Sequence, residues 1–122
     1  MALIMVVDDD VDVRDLIELT LRTDGHDVLS ANDAPEALTA MRENQPDLLV
    51  TDQMMPGMTG LELIRAMRED HTIAEIPVIL LTGADKHRDL FSVDRWLEKP
   101  FSPARLRSHV QALLNRSASH RS

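Results

Sequence analysis

The sequence has no cysteine, and it has far fewer basic than acidic residues. Without thiols, the chain cannot form disulfide bonds, thiolate metal sites or a cysteine nucleophile. Its 13 lysines and arginines stand against 21 aspartates and glutamates, which gives a formal net charge of −8. Because nucleic acids and anionic membranes are themselves negatively charged, this balance argues against direct binding to either.

Long hydrophobic runs are also lacking. The opening segment Met1–Val7 is apolar, but it has no basic leader and is too short for a signal peptide or a membrane span. We therefore expect a cytoplasmic protein without a membrane segment. The 122 residues contain no internal repeat, and we expect one domain over residues 1–116 and a polar C-terminal tail over residues 117–122.

Apolar runs alternate with helical patterns along the chain, which predicts βα units and a mostly parallel sheet. The predicted strands are Leu3–Val7, Val28–Ala31, Leu48–Thr51, Val78–Leu81 and a short one around Trp96–Glu98. Helices with apolar residues three and four positions apart follow the first three strands and end the chain. In the first of them, the inward face is predicted to comprise Val13, Leu16, Ile17, Thr20 and Leu21. Predicted N-caps are Asp10 or Asp12, Asp33 and Ser102.

Polar residues follow the predicted strands at the point where each strand ends. Asp8 and Asp9 come after the first strand, Asp52 after the third, Thr82 after the fourth and Lys99 after the fifth. In an open doubly wound sheet, functional groups gather at the carboxyl ends of the strands. Carboxylates brought together there repel each other unless a divalent cation joins them. The sequence therefore predicts a metal-dependent acidic crevice.

Four segments, in this order, resemble the receiver domain of two-component response regulators, in its single-domain, chemotaxis-regulator-like form. They are Val6–Asp10, Thr51–Gly60, Leu81–Gly83 and Lys99–Phe101. The resemblance covers essentially the whole chain. It implies a flavodoxin-like α/β fold, with a doubly wound, five-stranded parallel sheet in the order 2-1-3-4-5 and helices on both faces.

The resemblance also implies roles for the acidic residues. Asp52 would be the phosphoacceptor, taking a phosphoryl group from a histidine kinase or a histidine phosphotransfer protein. Mg²⁺ would be the cofactor, ligated directly by Asp9, by Asp52 and by the backbone carbonyl of Met54, and held by Asp8 largely through a water molecule. The chemistry is consistent with this assignment, since a carboxylate can act as a nucleophile and form an aspartyl-phosphate.

The remaining site residues come from the same resemblance. Thr82 and Lys99 would contact the phosphoryl oxygens, and Thr82 and Trp96 would form the switch that responds to phosphorylation. Pro100 is a candidate for a cis peptide bond. The output would be a changed protein-binding surface for an unknown downstream protein, with no direct nucleic-acid contact.

The sequence departs from the family between the last two strands. Lys99 follows Thr82 by 17 positions, several fewer than the family usually has. We therefore predict that the helix around Asp85–Phe91 is short or irregular. Because the family commonly dimerises through this face, we expect a monomer or a weak dimer. Trp96 also stands where the family usually has a tyrosine or phenylalanine.

Two alternative functions are open at this point. The first is a hydrolase that also forms an aspartyl-phosphate, but such enzymes carry a second acid two residues after the nucleophile, where this chain has Met54. The second is a degenerate receiver that binds partners without phosphorylation, and the presence of all five site residues argues against it. The favoured interpretation is a phosphoacceptor that turns over no separate substrate.

Overall fold

The computed structural model describes residues 2–83 and 93–121, with side chains up to residue 116. The elements in chain order are β1 (Leu3–Val7), α1 (Val11–Thr23), β2 (Asp27–Ala31), α2 (Ala34–Asn44), β3 (Leu48–Asp52), α3 (Gly60–Glu69), β4 (Val78–Thr82), β5 (Arg95–Glu98) and α4 (Pro103–Arg121). The five strands form one sheet in the order β2-β1-β3-β4-β5, and every neighbouring pair is parallel. The predicted fold class is confirmed.

The inner strands are almost entirely apolar because both faces of the sheet are covered. Successive side chains of a strand point to opposite faces. Met5 and Val7 of β1 therefore pack with α2 and α3 on one face. Ile4 and Val6 pack with α1 and α4 on the other. This burial on both faces fixes the register of the strands and therefore the positions of the residues at their ends.

The predicted helix caps are present where side chains are described. Asp10 caps α1 by accepting from the backbone N–H groups of Asp12 at 3.0 Å and Val13 at 3.3 Å. Asp33 caps α2 through the N–H of Glu36 at 2.9 Å. The hydroxyl of Ser102 accepts from the N–H of Arg105 at 3.2 Å, at the start of α4. The Lys99–Pro100 peptide bond is cis, as proposed from the sequence.

One side chain is placed differently from the sequence-based expectation, the last helix is longer than expected, and one predicted helix is not among the described residues. Leu16, expected on the inward face of α1, is 44% exposed, because the buried stripe of this helix is narrower than the apolar pattern and comprises Ile17, Thr20 and Leu21. The last helix continues to Arg121, through residues expected to form a polar tail. The short helix predicted around Asp85–Phe91 lies outside the described residues. Within the described ranges, no helix is long and apolar enough to cross a membrane.

Candidate functional site

The predicted acidic residues come together at the carboxyl ends of the parallel strands, which we call the carboxyl edge of the sheet. Val7 of β1 pairs with Thr51 of β3, so the residues that follow them, Asp8 and Asp52, emerge side by side. Asp8 is fully buried and Asp52 is only 6% exposed, whereas Asp9 is exposed. Each of these three residues offers a carboxylate oxygen within 4.8 Å of the others. The crevice predicted from the strand ends therefore exists.

Lys99 supplies positive charge to this crevice from the end of β5. Its Nζ lies 3.2 Å from Oδ2 of Asp8 and 3.2 Å from Oδ1 of Asp52. The backbone N–H of Lys99 donates to the carbonyl of Thr82 at 2.7 Å, which ties the residue to the end of β4. The ammonium group therefore contacts both buried carboxylates.

The electrostatics of the crevice are those of an incompletely neutralised acidic site. Burial raises the pKa of Asp8, and repulsion from Asp52 adds to this, while a hydrogen bond from the N–H of Asp10 and the nearby Lys99 oppose it. Burial alone would lower the pKa of Lys99, but the carboxylates of Asp8 and Asp52 outweigh burial and raise it. Lysine is therefore firmly protonated, and the acids still repel each other.

The donor set fits a hard divalent cation. Mg²⁺ prefers oxygen ligands, keeps several waters, and is held by one or two carboxylates together with phosphate oxygens. Asp8, Asp9 and Asp52 provide carboxylate oxygens close enough to share one ion, and the exposed Asp9 leaves the crevice open to water on one side. Repulsion among the acids is a physical reason for a cation to bind here.

Of the other predicted site residues, Thr82 and Met54 lie near the same edge, whereas Trp96 lies two positions earlier in the β4–β5 pairing. Thr82 is the buried last residue of β4. Met54 follows Asp52 by two positions, and its side chain is 70% exposed. Trp96 pairs with Leu80 in the sheet and is half-buried against the core on the α2–α3 face. The roles assigned to these residues in phosphorylation and switching stay predictions.

Two residues near the site were missed by sequence reasoning. Arg14 donates from Nη1 to the backbone carbonyl of Asp8 at 3.1 Å and also to the side chain of Asn32. Helical side chains lean toward the N-terminus, so an arginine in the second turn of α1 is a usable signal. Gln53 accepts from the N–H of Leu61 at 2.9 Å, and no local pattern indicates this contact.

Comparisons with known proteins agree with this arrangement. A family model described as "Response regulator receiver domain" matches residues 4–111. The "DNA-binding response regulator MtrA" of Mycolicibacterium paratuberculosis is 36% identical over 93% of this chain and 52% of its own length. The chain thus spans about half the length of the curated relatives it matches.

Solved structures give the same result over the full length of receiver domains. The receiver domain of the Francisella response regulator 1452 has a TM-score of 0.87 and 30% identity, with coverage of 96% of this chain and 99% of that chain. The Vibrio cholerae chemotaxis protein CheY4 has a TM-score of 0.85 and 29% identity, with coverage of 93% and 98%. With its sheet order, its acidic strand ends and a family match over most of its residues, the chain belongs to the response regulator receiver domain family.

Proposed function

We propose that Asp52 accepts a phosphoryl group from a histidine kinase or a histidine phosphotransfer protein in a Mg²⁺-dependent reaction. The observation that carries this proposal is the placement of the Asp52 carboxylate. It lies 3.2 Å from the ammonium of Lys99, and one of its oxygens is within 4.8 Å of carboxylate oxygens of both Asp8 and Asp9. A nucleophile, a fixed positive charge and a cation-binding set thus meet at one edge of the sheet.

The reaction needs the negative charges to be neutralised. A carboxylate oxygen of Asp52 forms a bond to phosphorus while the bond from phosphorus to the donor nitrogen breaks, and the imidazole leaves with that electron pair. Lys99 would then hold a phosphoryl oxygen in place of one of its carboxylate contacts. Mg²⁺, when held by Asp8, Asp9, Asp52 and the carbonyl of Met54, supplies further neutralisation of the phosphoryl oxygens.

The signal would leave the site through β4 and β5. Thr82 ends β4 beside the crevice, and we propose that its hydroxyl turns toward the phosphoryl group while the ring of Trp96 changes its packing. Trp96 is suited to this role because it is half-buried at the border of the core. The output would be an altered surface for a downstream protein, and the chain would act as a monomer or weak dimer in the cytoplasm.

This domain itself would not contact nucleic acid. MtrA carries the description "DNA-binding", but this chain spans 52% of the length of that protein. The formal charge of −8 makes the domain repel a phosphate backbone. We therefore propose that the partners of this domain are proteins and not nucleic acids.

The direct test is phosphorylation by a small donor. Purified protein is incubated with acetyl phosphate and Mg²⁺, and intact mass is measured for wild type, Asp52→Asn and Lys99→Ala. We expect wild type to gain the mass of one phosphoryl group, Asp52→Asn to gain none and Lys99→Ala to gain little. Full labelling of Asp52→Asn would overturn the assignment of the phosphoacceptor.

The mass measurement, together with an assay of phosphate release from phosphomonoesters, separates the two alternatives. A degenerate interaction module would bind partners while gaining no mass from any phosphodonor. A hydrolase would release phosphate from added phosphomonoesters with many turnovers per protein molecule. Met54 occupies the position of the general acid in such enzymes, and a thioether cannot transfer a proton.

A further inference from the structure

Gln53 follows the proposed phosphoacceptor directly, and three of its polar groups are bonded to other elements. Its backbone N–H donates to the carbonyl of Leu81 at 3.0 Å, which extends the β3–β4 pairing by one residue. Its carbonyl accepts from the N–H of Gly60 at 3.0 Å. Its side-chain Oε1 accepts from the N–H of Leu61 at 2.9 Å. Gln53 therefore connects the sheet to the first turn of α3.

These contacts form one of two caps at the start of α3. The first N–H groups of a helix have no partner within the helix. Gln53 accepts from two of them, those of Gly60 and Leu61. The other cap is local: the hydroxyl of Thr59 accepts from the N–H of Glu62 at 3.2 Å, and the carboxylate of Glu62 accepts from the N–H of Thr59 at 3.1 Å. Of the two caps, the Gln53 cap is the one built on the residue next to Asp52.

The start of α3 is also packed directly on the backbone of Asp52. A Cβ at Gly60 would collide with the carbonyl oxygen of Asp52 and with the side chain of Leu80. Between these contacts runs the loop of residues 54–59, whose Met55 side chain is buried in the core. The loop that carries Met54 is thus closed at its base by Gln53 and held in the middle by Met55.

We propose that Gln53 is a positioning residue for the site, and this rests on the proposed function of Asp52. Its side-chain amide locks α3 to the end of β3 and so sets the directions of the Asp52 carboxylate and the Met54 carbonyl. Residues that orient metal ligands through a second contact commonly change metal affinity or activity by about 10–100-fold when they are replaced. The same order of effect is expected for loss of the Gln53 side-chain acceptor.

Two variants of the same helix turn test this role. Gln53→Met keeps the length of the side chain and removes its acceptor oxygen. Thr59→Ala removes the hydroxyl acceptor of the other cap and leaves Gln53 intact. Thermal unfolding measures the stability lost in each. An NMR titration with MgCl₂ measures metal affinity, and intact mass measures the phosphorylation rate with acetyl phosphate.

We expect Gln53→Met to weaken Mg²⁺ binding and to slow phosphorylation at saturating Mg²⁺ by about tenfold each. Thr59→Ala should lose comparable stability and keep wild-type values of both. Equal Mg²⁺ affinities for the two variants would overturn the positioning role. If wild type binds Mg²⁺ but gains no phosphoryl mass, the proposed function fails, and the affinity comparison still decides the role of Gln53.

A measurement on wild type makes the test independent of the folding of any variant. Coupling between two sites is reciprocal, so an occupied site should strengthen the Gln53 contact if that contact shapes the site. The amide of Leu61 reports the Gln53 cap, and the neighbouring amide of Glu62 reports the Thr59 cap. With Mg²⁺ and beryllofluoride bound, hydrogen exchange of Leu61 should slow several-fold more than that of Glu62. Equal changes at both amides would overturn the proposal.

Discussion

The amino ends and the carboxyl ends of the parallel strands, here the amino edge and the carboxyl edge of the sheet, both carry aspartates. The aspartates have opposite roles at the two edges. At the amino edge, Asp94 accepts from the N–H of Val78 at 2.8 Å, from Arg68 at 3.1 Å and from Arg116 at 2.7 Å. Asp47 likewise accepts from the N–H of Leu3 at 2.9 Å. These carboxylates connect strands, loops and helices, so their hydrogen bonds stabilise the fold.

At the carboxyl edge, the carboxylates of Asp8 and Asp52 share the ammonium of Lys99, and that of Asp9 lies close beside them. The raised pKa of Asp8 shows that burial there disfavours its charged form. An aspartate paired with donors therefore contributes to stability, whereas aspartates crowded together repel each other until a bound cation reduces the repulsion.

The largest expected effect is at the amino edge. In Asp94→Asn, the amide has only one acceptor oxygen, so its NH₂ group must face either Arg116 or the donors of Val78 and Arg68. Hydrogen bonds to charged groups contribute about 1.5–3 kcal/mol, so we expect a loss of about 2 kcal/mol in the free energy of unfolding. Urea unfolding at neutral pH measures it. A loss below about 0.5 kcal/mol, the range of ordinary surface substitutions, would contradict a structural role for this edge.

The next effect is the response of the carboxyl edge to Mg²⁺. A ligand that binds only the folded state at ten times its Kd stabilises it by about 1.4 kcal/mol. We expect this gain in wild type and in Asp94→Asn, since the amino edge does not hold the ion. Asp9→Ala should lose the gain more completely than Asp8→Ala, because of these two residues only Asp9 is expected to ligate the ion directly. Equal Mg²⁺ responses of the two site variants would remove that distinction.

The matched change at the carboxyl edge should have the opposite sign from that at the amino edge. Asp8 has a raised pKa in the folded state, so the fold binds its proton more tightly than the unfolded chain does. Stability is therefore lost as pH rises from the unfolded pKa of about 3.9 through the higher folded pKa of Asp8. Asp8→Asn removes this loss, and we expect it to stabilise the Mg²⁺-free protein at neutral pH. Urea unfolding without metal is the measurement, and destabilisation would refute the contrast between the edges.

The smallest effect concerns acid sensitivity at the C-terminus of α3. Hydrogen bonds from Thr72, and then from Arg42, lower the pKa of Asp70 to about 2. Its contribution to stability is fully present above the unfolded pKa of about 3.9 and is lost as pH falls toward the folded value. Asp70→Asn should therefore lose less stability than wild type between pH about 4 and about 2. Identical acid-unfolding curves for wild type and Asp70→Asn would contradict this role of Asp70.

Much of the fold followed from local pattern, because burial on both faces makes strands such as Val78–Thr82 apolar at nearly every position. The N-caps Asp10 and Asp33 were also predictable, since capping depends on residues only two or three positions away. Leu16 was placed wrongly, because apolar spacing defines a stripe but does not say how wide a stripe the neighbouring elements cover. The predicted short helix around Asp85–Phe91 stays a prediction.

Two features could be inferred from the residue sequence: the alternation of strands and helices along the chain, and the gathering of Asp8, Asp9, Asp52, Thr82 and Lys99 at one edge. Both depend on periodicity and on the rule that parallel strands end together. The paired state of Asp94 and the bond from Leu61 to Gln53 arise only when the chain is folded. Their partners lie 8–26 positions away along the chain and meet through the packing of helices and loops. No periodic pattern encodes such contacts, because each depends on the direction of one side chain in the assembled structure.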